Sequence, residues 1–76
     1  MHITLTLATE GARTLCRYAL DCTDGGFDPV AVEAPGEPEI DLTVPGALDA
    51  HAARYGLSER ALRVALTAAC DDVAGH

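Results

Sequence analysis

The chain has 76 residues, with 12 acidic side chains against five arginines and no lysine, a formal net charge of −7 and three cysteines. That length holds one domain, 1–76, and leaves little room for a deep substrate pocket, which takes about 300 Å³ or more. The acidity opposes contact with phosphate backbones and anionic membranes and favours basic partners, and no apolar run reaches the about 18 residues of a membrane span.

The apolar fraction is 49%, but much of it is alanine. The large core candidates are Ile3, Leu5, Leu7, Leu15, Tyr18, Leu20, Phe27, Val30, Val32, Ile40, Leu42, Val44, Leu48, Leu57, Leu62, Leu66 and Val73. A core this thin is commonly completed by self-association or by a partner.

Residues 2–9 alternate, with Ile3, Leu5 and Leu7 on one face and His2, Thr4 and Thr6 on the other, the pattern of a half-buried strand. With no basic segment ahead of it, this start is expected to be a strand and not a signal peptide, consistent with a cytoplasmic protein. Glu10-Gly11 supplies a tight turn, and residues 12–22 form the return strand, with Cys16, Tyr18 and Leu20 in one phase. Asp24-Gly25-Gly26 breaks the chain before a short strand at 28–34. Pro35-Gly36-Glu37-Pro38 is a second break, and residues 39–44 alternate again with Ile40, Leu42 and Val44 inward.

After Pro45 the apolar period changes from two to 3.6. A first helix is expected from 45 or 46 to 55, with Pro45 at its first position and Gly56 just past its end. Ser58 is a suitable N-cap for a second helix, and Leu57 is placed to meet Leu62 as a hydrophobic staple. Its apolar stripe is Leu62, Ala65, Leu66, Ala69 and Val73, and Glu59 and Arg63 are spaced to pair on the exposed side. Asp71-Asp72 opposes the helix dipole at the C-terminal end. The expected fold class is α+β: a small antiparallel sheet of about four strands followed by two C-terminal helices packed on one face.

No motif for phosphate binding, nucleophilic catalysis or zinc hydrolysis occurs, and no cofactor, metal ligand set or catalytic residue is assigned. Cys16 and Cys22 lie roughly 20 Å apart along one extended strand and cannot bond to each other. All three cysteines are read as small buried hydrophobes, with a bridge involving Cys70 or a reactive thiol as the alternative. His51, beside Asp49 on an alanine-rich helix, is read as a surface or boundary histidine; His2 and His76 sit near the ends and are expected to be solvated.

The strongest feature is charge distribution. Between Arg17 and Arg54 there is no basic residue, and Asp21, Asp24, Asp28, Glu33, Glu37, Glu39, Asp41 and Asp49 make up eight of the twelve acids. Asp21, Asp24, Asp28, Glu33, Glu37, Glu39 and Asp41 are the expected partner-binding residues, with carboxylates standing in for phosphates in a basic groove.

Residues 40–68, with Ile40-Leu42-Val44, Pro45, Gly56-Leu57-Ser58 and the Leu62-to-Ala69 stripe, resemble the ribbon-helix-helix family of repressors and antitoxins. That resemblance implies a dimer whose paired strands enter the DNA major groove with Glu39, Asp41 and Thr43 toward the bases. In size and acidity alone the chain also resembles small phage-encoded inhibitors of bacterial defence complexes, anti-CRISPR proteins among them. The leading expectation is a non-catalytic inhibitor of a basic nucleic-acid-binding protein or ribonucleoprotein, without direct nucleic-acid or membrane contact and with homodimerisation open. A dimeric antitoxin or repressor is the alternative.

Overall fold

The computed structural model describes residues 1–9 and 11–74. Four strands, β1 (His2–Thr9), β2 (Ala12–Thr23), β3 (Gly26–Glu33) and β4 (Ile40–Asp41), precede two helices, α1 (Ala47–Arg54) and α2 (Glu59–Ala74). The strands form one antiparallel sheet in the order β1-β2-β3-β4, so the fold is α+β, with the helices over one sheet face.

Side-chain alternation sets which face is covered. Ile3 opposes Tyr18, Leu5 opposes Cys16, Cys22 opposes Phe27 and Val32 opposes Ile40, and this phase meets Leu48 and Ala52 of α1 and Leu62, Leu66 and Cys70 of α2. The other face carries Thr4, Thr6, Arg13, Leu15, Arg17, Asp21, Asp28, Glu33 and Asp41, all exposed. Leu15, one of the expected core residues, is 57% exposed there, because the inward phase of β2 runs through Cys16, Tyr18 and Leu20.

Strands β3 and β4 differ most from the expected bounds, while β2 runs one residue longer and α1 begins and ends a residue or two inside its expected span. β3 starts earlier, at Gly26, because Asp24-Gly25 closes a tight hairpin between Thr23 and Gly26, with Gly25 at φ +78. Within β3 the register shifts opposite Ala19 and Leu20, leaving Val30 without a partner on β2. This bulge accommodates Pro29 inside a central strand and leaves Val30 exposed. β4 covers only Ile40–Asp41 instead of 39–44. Asp41 Oδ1 accepts the Thr43 backbone N–H at 2.8 Å and its hydroxyl at 2.5 Å, bending the chain off the ladder after Leu42, and Val44 is exposed as a result.

Helix ends follow local chemistry. The cap of α1 is Gly46, at φ +82, so Pro45 stands outside the helix. At its other end Leu57 N–H bonds to the Ala52 carbonyl and Gly56 N–H to that of Ala53, a Schellman closure with Gly56 at φ +70. Ser58 Oγ accepts the Ala61 N–H at 3.1 Å and caps α2, and Glu59 pairs with Arg63 at 3.2 Å. The buried stripe of α2 is Leu62, Leu66 and Cys70; Ala65 and Val73 face outward. The expected Glu10-Gly11 turn lies partly outside the described residues, and His76 lies wholly outside them.

Candidate functional site

The open face of the sheet distributes the acidic block into two ends. Asp21 and Asp28 are direct cross-strand partners on β2 and β3, and Asp24 sits in the turn that joins those strands. Asp41 shares this face on β4, opposite Ala31. Among the described residues none of these four carboxylates is in an ion pair. The hydrogen bonds from Thr43 hold the Asp41 carboxyl below its usual range.

At the other end the acids meet arginine. Glu33 is the cross-strand partner of Arg17, and Glu37, in the β3–β4 loop, pairs with Arg54 at the end of α1. That pairing raises the Arg54 pKa. Glu39 is exposed beside Arg17 and Glu33, in a dimple of about 20 Å³ that admits nothing larger than a water molecule. The seven expected partner-binding residues are thus all exposed; Asp21, Asp24 and Asp28 share the β2–β3 end of the sheet, where Arg63 lines a cleft with Asp28, and Asp41 lies apart on β4. Asp49 stands apart on α1.

A second cluster lies inside. His51, read from sequence as a surface or boundary residue, is 2% exposed. It packs edge-on against the rings of Tyr18 and Tyr55, and its Nε2 lies 2.7 Å from the Tyr18 hydroxyl, while its Nδ1 is buried without a partner. Burial pushes the His51 pKa down; the nearby Arg54 adds to this and Glu37 opposes it. The ring is therefore neutral at pH 7. A lone Nδ1 acceptor is cheaper to bury unpaired than an N–H donor, so we assign the proton to Nε2, which donates to Tyr18. The wholly buried Cys16 lies on the same face of β2, two residues before Tyr18. Burial first, and the neighbouring Cys16 second, raise the Tyr18 pKa. Asp49 does not orient His51.

The cysteine reading needs correction as well. Cys22 and Cys70 form a disulfide with Cα atoms 5.9 Å apart, while Cys16 is free and buried. Cys22 shares the inward phase of Cys16, Tyr18 and Leu20, and Cys70 continues the four-residue steps of Leu62 and Leu66 on α2, so the docked helix brings the two together. Those two phases were the available signals. For His51 the signal was the Leu48, His51, Ala52, Tyr55 spacing, a core stripe with a histidine in it.

No cleft joins these groups into a reaction centre. A shallow concavity of about 470 Å³ is an open flank of α2 lined by that helix alone, from Glu59 to Asp71. A cleft of about 240 Å³ lies over Tyr55 between Thr14, Pro35 and the Glu37–Arg54 pair, and neither His51 nor Cys16 lines it. Among the described residues no three His, Cys, Asp or Glu side chains converge as a metal site, and no helix is long and apolar enough to cross a membrane. Compared with protein-family models, curated proteins and solved structures, the chain matches none.

Proposed function

We propose that the chain is a non-catalytic binding protein that inhibits a nucleic-acid-handling protein or ribonucleoprotein complex by occupying its basic surface, in the manner of an anti-CRISPR protein. The observation that carries this reading is the juxtaposition of Asp21 and Asp28 across β2 and β3, with Asp24 in the joining turn and Asp41 on the next strand. Like charges directly opposite one another on a sheet are unfavourable. A basic groove that normally holds phosphates relieves that repulsion, and carboxylates accept the same charge-assisted hydrogen bonds from arginine. Electrostatic complementarity of this kind also speeds encounter and makes it salt-sensitive. The target class places the encounter in the cytoplasm.

The test is capture from nuclease-treated lysate with the wild-type chain and with an Asp21→Lys/Asp24→Lys/Asp28→Lys variant, in the presence and absence of reductant. The expected result is a nucleic-acid-binding protein retained by wild type, released by salt and lost by the variant. Equal retention by both sinks the reading. Retention of a small toxin, or a shift of operator DNA by the chain itself, replaces it with the antitoxin-repressor alternative.

A further inference from the structure

β1 is an edge strand of the sheet, with β2 on one side and no strand on the other among the described residues. Met1 and Leu20 exchange both backbone bonds, at 3.1 and 2.8 Å, which sets the parity of the β1–β2 ladder. Antiparallel pairs alternate between bonded and non-bonded, so Ile3, Leu5 and Leu7 bond to β2. The N–H and C=O groups of His2, Thr4, Thr6 and Ala8 therefore point away from the sheet. Those four residues are exposed, and among the described residues nothing bonds to the outer edge they form.

An edge left open in this way is a pairing template unless it is blunted by proline, charge, a bulge or shortness. β1 has none of these: its eight residues, HITLTLAT, contain no Asp, Glu, Lys, Arg or Pro and pair with β2 without a register shift. The opposite edge is blunted, since β4 has two residues, lies close after Pro38 and bends away through the Asp41–Thr43 turn. One competent edge closes on itself as a two-fold dimer, whereas two would propagate a fibre. Charge agrees with this assignment. None of the carboxylates Asp21, Asp24, Asp28 and Asp41 lies on β1, so two copies of net charge −7 meet along a strand that carries no acid.

We infer that the chain forms a symmetric dimer by antiparallel β1–β1 pairing, in the register Thr4 with Thr6 and His2 with Ala8 of the second copy. This register uses all the outward groups, places Leu5 against its own copy on the two-fold axis, and makes one continuous sheet with no Asp or Glu on its two central strands. It stands independently of the acidic-inhibitor reading.

Sedimentation equilibrium of the full chain tests it, together with two kinds of variant. Wild type is expected at twice the 7.9 kDa chain mass in the micromolar range. Thr6→Pro removes an outward N–H and no bond to β2, so it is expected to stay folded by circular dichroism and become monomeric. The register is read by oxidation of variants with one introduced cysteine in a Cys16→Ala background, which removes the free thiol opposite Leu5. Leu5→Cys places two thiols at a non-bonded pair with Cα atoms about 4.5 Å apart and is expected to cross-link. Thr4→Cys leaves them about 8 Å apart on the diagonal and is expected not to. A monomeric wild type, a folded Thr6→Pro variant that remains dimeric, or a Leu5→Cys variant that fails to cross-link overturns the proposal. Should Thr6→Pro not fold, the cross-linking pair decides alone.

Discussion

His51 concentrates the consequences that belong to single residues. Its buried, neutral ring makes stability depend on pH in a defined direction. The folded pKa lies below the ordinary 6.5, so as pH falls the unfolded chain takes up the proton first. The contribution is complete above pH 6.5 and is lost as pH falls through the folded value. Denaturant titrations across this range should therefore show decreasing stability for wild type and a flatter profile for His51→Gln; identical slopes would count against this account. The Arg54 and Glu37 charges act on the same ring in opposite senses, so the His51 profile should be remeasured in a Glu37→Gln background, where the window moves to lower pH. Asp41 works in a separate, more acidic window: its lowered pKa contributes stability above 3.8 that disappears as pH falls below it. Tyr18→Phe removes the hydroxyl that pairs with His51. Leaving a buried imidazole N–H unpaired costs about 1–3 kcal/mol, measurable as a shift of the denaturation midpoint with unchanged slope.

Among the elements, α2 is held at both ends by different physics. Ser58 caps its start, and Ser58→Ala is expected to cost about 1 kcal/mol in thermal or chemical denaturation. Near its C-terminal end the Cys22–Cys70 bridge spans 48 residues of sequence. Closing a loop of that length restricts the unfolded chain by an amount equivalent to about 4 kcal/mol in the chain-entropy model. Reduction, or Cys70→Ser, should therefore lower stability by up to this amount, and for a chain this small that is a large share of the total. Added reductant should leave Cys70→Ser unaffected, which separates the bridge from other redox effects. The acidic pair Asp71-Asp72 at the helix C-terminus is unfavourable to the dipole, and the bridge offsets it by anchoring the preceding residue.

For the molecule as a whole, charge is segregated across the sheet: β1 is uncharged apart from His2, and the unpaired carboxylates lie at the β2–β3 turn and on β4. Asp21→Asn is expected to raise stability slightly by removing a like-charge cross-strand neighbour while weakening partner capture. Opposite signs for these two effects distinguish a surface kept for binding from one kept for folding.

The alternation at 2–9, 12–22 and 40–42, the change of period after Pro45, the Gly56 stop and the Ser58 cap were all legible, because each acts between residues a few positions apart. These local rules determined the α+β class and the order of elements. They failed where a side chain competes with the ladder, as Asp41 does through Thr43, and at the β3 bulge, which shows only against a paired strand. The division of the acidic block between the β2–β3 turn and an end that also carries Arg17 and Arg54 was decided by strand register and by the docking of α1, which brings Arg54 to Glu37 across 17 residues. The same docking joins Tyr18 to His51 across 33 residues and Cys22 to Cys70 across 48. Sequence spacing carries no record of such contacts, since they arise only when separately formed elements bury their apolar faces against one another.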